Sequence, residues 1–206
     1  MKFIRLFLLF AFVAVFRLIG LVLNLLSPRA TARHLPDTLR LYRRTPDGTE
    51  FLWFYEIGEQ LFVDAGMLGK NATRASFAIE HWPAIKEHIR VMREKGFEEI
   101  ATDAMQFLQI TYHIRGDFAE KDELDKRNAL LDKLDEFLAL TGQGYWVDAS
   151  SGSGTMELGF EVVDFDIAET TLREQLKGSE YDNFLTITPN QPQLEGDDKE
   201  IVYLPA

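Results

Sequence analysis

An apolar run near the N-terminus constrains this 206-residue chain more than any other feature. Residues 6–26 read LFLLFAFVAVFRLIGLVLNLL, with Arg17 and Asn24 as the strongly polar positions. At a rise of 1.5 Å per residue, this length matches the hydrocarbon core of a bilayer, which is about 30 Å thick. The run predicts a transmembrane helix within an N-terminal anchor, residues 1–34. Arg17 opposes this prediction, because an arginine inside a bilayer is costly unless it pairs or reaches the interface.

Two alternatives remain open for this segment. Lys2 and Arg5 before the run, and Ala30-Thr31-Ala32 after it, are typical of a signal peptide with its cleavage site. The run could also lie in the membrane interface, or be buried in this protein or in a partner. Basic residues are slightly more numerous after the run than before it. The positive-inside rule therefore favours a bacterial inner-membrane protein whose remaining residues are cytoplasmic, with a periplasmic location as the alternative.

Negative charge is concentrated in the second half of the chain. The formal net charge is -11, yet residues 1–34 hold five basic side chains and no acidic one. Residues 35–100 hold nine basic and 11 acidic side chains, and residues 101–206 hold eight basic and 22 acidic, a net charge of -14. A surface this negative repels nucleic acid, whose affinity for proteins comes largely from Lys and Arg contacts. It favours a basic protein partner instead.

The residue inventory removes several kinds of chemistry. The chain has no cysteine, so disulfides, Cys-ligated zinc, iron–sulfur clusters and thiol catalysis are excluded. None of the four histidines falls into a metal-binding spacing such as H-E-x-x-H. We predict no metal and no cofactor, and we expect His88, beside Glu87, to lie on a solvated helix face.

Residues 36–100 predict a first module, an antiparallel meander followed by one helix. Strand-like runs at 39–43, 51–57 and 60–65 are separated by turn residues. Pro83 suits the first turn of a helix, and Gly96 suits its end. Apolar residues recur at steps of three and four between them, at Trp82, Ile85, Ile89 and Met92.

The order of parts over residues 38–100 resembles the WGR domain, a small β-rich module of poly(ADP-ribose) polymerases and many bacterial proteins. The resemblance rests on strand 51–57, on Gly66-Met67-Leu68-Gly69 where the family has Gly-Arg-Ile-Gly, on Phe77, and on Lys95-Gly96-Phe97 where it has Lys-Gly-Tyr. Ala65 and Met67 replace the Trp and Arg of the family signature. The resemblance implies a sheet covered by one helix, while these two replacements argue against the family's DNA contacts.

Residues 104–189 predict a second module of strand, helix, strand, strand, helix and strand, the ferredoxin-like order. The chain as a whole is therefore expected to be α+β. Residues 190–206 predict a loose acidic tail, in which 201–204 could add an edge strand. The patterned segments of the module are 108–114, 124–138, 145–147, 156–162, 168–176 and 184–188.

Two local patterns in this module invite a chemical interpretation. The run SSGSG at 150–154 lacks the helix that must follow a phosphate loop, and we interpret it as a hairpin loop. Asp164 and Asp166 flank Phe165 where a helix is expected to begin. Carboxylates favour a helix N-terminus, so we expect Asp166 to be the N-cap rather than a catalytic acid or metal ligand.

These patterns favour a non-enzymatic role in protein binding. The Gly-rich hairpin followed by an alternating apolar strand resembles parts of bacterial immunity-type proteins, which implies that the acidic module neutralises a basic toxin domain. The alternatives are a WGR-type nucleic-acid-linked adaptor using Arg40, Arg43, Arg44, Lys70 and Arg74, a structural component of a membrane complex, and an enzyme with an unrecognised acid-based site. Oligomeric state stays open. The predicted partner-binding residues are Tyr145, Trp146, Asp148, Glu157, Glu161, Asp164, Asp166 and Glu169.

Overall fold

The computed structural model describes Leu35 and residues 38–189, 192–195 and 200–203. The predicted membrane helix at 6–26 and the alternative cleavage site at 30–32 lie outside these residues. Among the described residues, no helix is both long and apolar enough to cross a membrane. They form three α-helices and two four-stranded antiparallel sheets, which confirms the predicted α+β class.

The chain divides into two compact units. The described residues up to 65 and residues 73–99 belong to the first unit, and residues 66–72 and the described residues from 100 onwards belong to the second. The segment 66–72, which the sequence prediction assigned to the first module, therefore belongs to the second unit. Its backbone bonds to the end of a helix there, with Gly69 N donating to Thr141 O at 3.0 Å and Ala72 N to Leu140 O at 2.7 Å.

The first unit is a meander with one helix packed on it. Its strands follow one another in the sheet in chain order. Apolar side chains on one face of the sheet, such as Leu52 and Phe54, pack with Ile85, Ile89 and Met92 of the helix. The elements are β1 (Leu39–Thr45), β2 (Gly48–Ile57), β3 (Gln60–Met67), β4 (Thr73–Ala78) and α1 (Trp82–Glu94). The sequence prediction did not include β4.

The second unit has the predicted order of elements and a sheet in which the last strand pairs with the first. The strand order is β6-β7-β5-β8, and every neighbouring pair is antiparallel. Its elements are β5 (Gln106–His113), α2 (Lys121–Leu140), β6 (Gly144–Gly152), β7 (Thr155–Val162), α3 (Phe165–Leu176) and β8 (Thr186–Thr188).

One face of this second sheet forms the core. Leu108 and Ile110 of β5 and Leu158 and Phe160 of β7 are fully buried against apolar residues of α2 and α3. The opposite residues of each strand, at the intervening positions, therefore form the second face. Helix α2 begins with a capping box, in which the side chains of Glu120 and Glu123 each accept a hydrogen bond from the other's backbone N–H.

The serine-glycine run is a tight hairpin, as predicted. Gly152 pairs with Thr155, so Ser153 and Gly154 alone form the turn, with φ of 50° and 82°. Two consecutive positive φ values match the twist of antiparallel strands. In the predicted tail, β9 (Pro192–Glu195) and β10 (Glu200–Tyr203) pair with each other, and neither is an added edge strand of the larger sheets.

Candidate functional site

The second face of the β6-β7-β5-β8 sheet brings four of the predicted residues together. Tyr145 lies opposite Glu161, and Asp148 lies opposite Gly159. Glu157 of β7 lies opposite Ser150 of the edge strand β6. We call this surface the polar face; it consists of Phe107, Gln109, Thr111 and His113 of β5, Tyr145, Asp148, Ser150 and Gly152 of β6, Thr155, Glu157, Gly159 and Glu161 of β7, and Thr186 and Thr188 of β8.

Hydroxyl groups hold the two glutamates of the polar face. The Tyr145 hydroxyl donates to Glu161 Oε2 at 2.5 Å, and Ser150 Oγ donates to Glu157 Oε2 at 2.8 Å. The single proton of the Thr155 hydroxyl can go to Gly152 O at 3.2 Å or to the other oxygen of Glu157 at 3.4 Å. Each carboxylate can accept about four hydrogen bonds, so these contacts orient both groups and leave capacity for further donors.

Positive charge is missing from this surface. None of the residues that the four strands place on the polar face is a lysine or an arginine. In the described part of the chain, no ion pair joins Glu157 or Glu161 to a cation, whereas acids on α2 and α3 pair with Arg115, Lys121 and Arg173. The half-buried Glu157 and Glu161 therefore present negative charge that the described fold does not neutralise.

Trp146 lies on the other side of β6 from the polar face. It pairs with Phe160, whose side chain is in the core, and the strand register shifts between Trp146 and Asp148. This irregularity adds Val147 to the strand, so that Tyr145 and Asp148 share a face although they are three residues apart. Trp146 is 47% exposed. Sequence alternation alone could not have assigned these faces.

The three remaining predicted residues serve helix α3. Asp164 is the N-cap, since its Oδ1 accepts from Ile167 N at 3.0 Å, and the prediction that Asp166 caps the helix is wrong. The helix begins at Phe165, two residues earlier than an N-cap at Asp166 implies, which leaves Asp166 exposed in the first turn. Glu169 accepts from the Arg173 guanidinium one turn later, at 2.7 Å. Asp164 and Glu169 therefore both make contacts within α3 itself.

Phe107 and Gln109 also belong to the polar face, and they were not among the predicted site residues. A Cβ added to Gly159 would meet Cζ of Phe107 at 2.6 Å, so the ring of Phe107 lies directly across this glycine. Gln109, which pairs with Gly159, is only 7% exposed and donates to Thr111 Oγ1 at 3.2 Å. A glycine inside a strand marks a close approach of another group, which was the available signal.

The histidines form no metal site in the part of the chain that the structure describes, where no group of acidic or histidine side chains could hold an ion. His88 corrects a prediction, because it is buried rather than solvated, with its ring centroid 6.2 Å from that of Phe54. It lies three residues after Ile85 and four before Met92, on the apolar stripe of α1. Burial, with a smaller effect of the Lys95 charge, lowers the pKa of His88 to about 4.

The buried carboxylate of Asp64 has its cation within the first unit. Asp64 is 2% exposed, and its carboxylate accepts two 2.8 Å hydrogen bonds from Arg74 and one of 3.1 Å from the Tyr55 hydroxyl. Burial, followed by the negative charge of Asp64, raises the pKa of Tyr55 to about 12. The hydrogen bond to Asp64 raises the pKa of Arg74. Asp64, Tyr55 and Arg74 therefore form a structural ion pair with a supporting hydroxyl.

Other cations suggested for nucleic-acid binding are also engaged. Arg43 donates to Glu50 Oε2 through Nε at 2.8 Å, and its guanidinium lies 4.7 Å from the ring centroid of Phe97. Arg40 lies over the Trp53 ring at 4.8 Å. Lys70 belongs to the second unit, apart from these arginines in the division of the chain. Arg40, Arg43 and Arg74 therefore each have a partner within the first unit, whereas Arg44 is exposed.

Comparisons with known proteins found no match to a family model, to a curated protein or to a solved structure.

Proposed function

We propose that this chain is a non-enzymatic, immunity or antitoxin type protein that neutralises a basic toxin domain by binding it through the polar face. The observation that carries this proposal is the arrangement of Glu157 and Glu161. Both carboxylates are held by hydroxyl donors, both lack a cation partner among the described residues, and no lysine or arginine shares their face. A basic surface on a partner supplies the missing positive charge.

The spacing of these carboxylates defines what the partner must present. Glu157 and Glu161 are four residues apart in one strand, which separates them by about 13 Å along the sheet. Asp148 lies on the neighbouring edge strand, opposite Gly159 between them. A partner with two lysine or arginine side chains spread over a similar distance forms an ion pair with each of the two glutamates, and its hydroxyl or amide groups can bond to Ser150 and Thr155.

Charge over the whole second half of the chain supports this partner class. Residues 101–206 carry a net charge of -14, which attracts a basic protein over a long range and raises its association rate at low salt. Binding is therefore expected to weaken as ionic strength rises, because the Debye length shortens from about 30 Å at 0.01 M salt to about 8 Å at 0.15 M.

The finer fold and location form part of the same proposal. The strand, helix, strand, strand, helix, strand order supports a ferredoxin-like second unit, and the four-stranded meander with one helix supports a WGR-like first unit. Residues 6–26 would anchor the chain in a bacterial inner membrane, with the two units on the cytoplasmic side. This arrangement would hold the polar face where a toxin enters or acts.

Recovery of the partner and of its neutralisation tests the proposal. The full chain, used as bait in extracts of its host at low salt, should recover a basic protein in stoichiometric amount. Co-expression with that protein, or with the product of the neighbouring gene, should relieve its toxicity. Recovery of nucleic acid instead, or toxicity that the chain does not reduce, would contradict the proposed function.

A charge-matched pair of variants locates the interface. Glu157→Gln with Glu161→Gln removes two charges from the polar face, while Glu136→Gln with Glu174→Gln removes two from exposed helix positions. We expect the first pair to weaken partner binding about 30-fold, or about 2 kcal/mol, since close charge pairs across an interface each contribute on the order of 1 kcal/mol or more. The helix pair should change the affinity less than threefold. Equal losses from both pairs would mean that net charge, rather than this face, determines binding.

A further inference from the structure

A groove of about 300 Å³ lies between helix α2 and the edge strand β6. Leu131 and Ala149 contribute apolar surface to it, and Asp132 and Asp135 contribute carboxylates. The ring of Trp146 lines the same groove and is 47% exposed, although tryptophan is usually much more buried in a folded domain. Exposed aromatic side chains are enriched at binding surfaces.

Two hydrogen bonds fix Trp146 in the groove. Its indole N–H donates to Asp148 O at 2.8 Å, and its backbone N–H donates to Asp135 Oδ1 at 2.7 Å. The polar group of the ring is therefore satisfied within the chain, while the ring faces remain for contact with another molecule. An anchor that is already ordered loses little conformational freedom on binding.

The lining of the groove selects a cation with an apolar stem. The methylene groups of an arginine pack on Leu131 and Ala149, its planar guanidinium stacks on the Trp146 ring, and Asp132 supplies a carboxylate. An acidic side chain would be repelled by Asp132 and Asp135. A purely apolar one would remove both carboxylates from water without compensation.

The positive charge of Arg127 opposes the binding of an arginine side chain in the groove. Substitution of Arg127 should therefore raise the affinity, which can be tested. Arg127 lines the same groove, and its guanidinium donates to Asn128 Oδ1 at 3.3 Å from both Nε and Nη2. Its positive charge lowers the affinity of the groove for another cation. Removal of the Arg127 charge should strengthen the binding of a cation, whereas removal of the Asp132 charge should weaken it.

We propose that this groove binds an arginine side chain of the basic partner and that Trp146 is the central anchor of the interface. The inference rests on the proposed function, because it assigns a second contact to the same partner. Tyr145 and Asp148 of the polar face flank Trp146 in β6, so a partner segment that crosses this edge strand contacts both surfaces. Tryptophan and arginine are the residues that most often dominate interface energies.

Peptide titration of the full chain tests the groove without the native partner. The ¹⁵N-labelled chain, in a non-ionic detergent, is titrated at low salt with hexa-arginine, hexa-lysine and hexa-glutamate peptides while the indole N–H signal of Trp146 is followed. Hexa-arginine should shift this signal saturably and bind at least threefold more tightly than hexa-lysine. Hexa-glutamate should leave it unchanged. Equal binding of the two basic peptides, or an equal shift with hexa-glutamate, would overturn the arginine assignment.

Four variants refine the same titration. Asp132→Asn should weaken hexa-arginine binding at least threefold, and Arg127→Gln should strengthen it by a similar factor. Trp146→Ala should weaken it at least tenfold, as read from backbone amide signals of α2. Phe118→Ala is the matched control, because Phe118 is an aromatic residue that is 79% exposed outside the groove, and it should leave the affinity unchanged. Weaker binding in Arg127→Gln would refute the proposed electrostatics.

Failure of this inference can be told apart from failure of the proposed function. If hexa-arginine moves only signals of the polar face, the groove inference is overturned while the polar face stands. If the Trp146 signal moves but Glu157→Gln with Glu161→Gln does not weaken the native complex, the groove is supported and the polar face is not. If neither surface responds, both proposals fail.

Discussion

Each of the two units of this chain is built on a four-stranded antiparallel sheet. The units differ in how they bind the carboxylates on the sheet face that points away from the helices. In the first unit, Asp64 is 2% exposed and is bound by Arg74 and Tyr55. In the second unit, Glu157 and Glu161 are half-buried and bound only by hydroxyl groups among their described hydrogen-bond partners.

The difference follows from the cost of removing a carboxylate from water. A fully buried carboxylate is stable only when the fold itself supplies a cation and hydrogen bonds. A half-exposed one keeps part of its hydration and can exchange that water for a cation of another molecule. The acid of the first unit is therefore structural, while the acids of the second unit are suited to recognition.

Loss of a carboxylate charge should give the largest difference in stability loss between the two units. Asp64→Asn removes the charge of the buried partner of Arg74 and should lower the free energy of unfolding by about 3 kcal/mol. This value is in the lower range for breaking a buried pair, because the Arg74 side chain is 46% exposed. Glu157→Gln, the matched change in the second unit, should cost less than about 1 kcal/mol. Denaturant unfolding followed by circular dichroism measures both. Equal losses would contradict the division into structural and recognition acids.

Acid should destabilise the first unit through His88. The pKa of this histidine is about 4 when folded and 6.5 when unfolded, so the unfolded state binds the proton first as the pH falls. The stability contributed by the neutral ring is present above pH 6.5 and is lost between pH 6.5 and 4, with about 2 kcal/mol lost between pH 7.5 and pH 5. Unfolding free energies measured across this range should show the loss.

Two histidine variants isolate this effect from the titration of the many acids. In His88→Leu, the difference in stability between the variant and the parent chain should change by about 2 kcal/mol over the same pH range. His113→Gln, which alters an exposed histidine on the second sheet, is the control for the loss of a histidine as such. A constant difference for His88→Leu would mean that His88 is not buried in solution.

A glycine substitution tests the assignment of segment 66–72 to the second unit. Gly69 has a φ of +78°, and an added Cβ would meet Cγ2 of Ile167 at 2.6 Å. Gly69→Ala should cost about 2 kcal/mol, since strain and overlap each contribute about 1 kcal/mol. Gly58→Ala, with a φ of +61° and open space, should cost about 1 kcal/mol.

Hydrogen exchange identifies which unit each glycine variant affects. Gly69→Ala should accelerate the exchange of amides in β5 and β7, whereas Gly58→Ala should act on β2 and β3. Faster exchange confined to the first unit in Gly69→Ala would contradict the contact with α3.

Removal of one hydroxyl should give the smallest difference between the units. Tyr55→Phe leaves the buried Asp64 without one of its donors and should cost about 1.5 kcal/mol. Tyr145→Phe removes the donor to a half-exposed glutamate, which water can replace, and should cost about 0.5 kcal/mol. Thermal unfolding resolves the two values. A larger cost for Tyr145→Phe would indicate that the polar face is structural.

Much of the second unit was predictable because its strands and helices keep regular periods. The alternation from Leu108 onwards predicted β5, and the leucine stripe predicted α2. The position of His88 was also readable, since its spacing from Ile85 and Met92 places it on the buried stripe, but the neighbouring Glu87 led to the wrong prediction. Strand β4 was missed, because the short run Thr73–Ala78 carries little apolar alternation.

The sequence by itself determined the α+β class, the absence of thiol chemistry and the concentration of acid in residues 101–206, since composition and periodicity do not depend on how strands pair. Only the tertiary structure decided which acids act together. The pairing of β6 with β7 and the irregularity at Val147 bring Tyr145, Asp148, Glu157 and Glu161 to one face and put Trp146 on the other. Register is set by contacts between distant segments, and a single added residue changes the face to which every later side chain belongs.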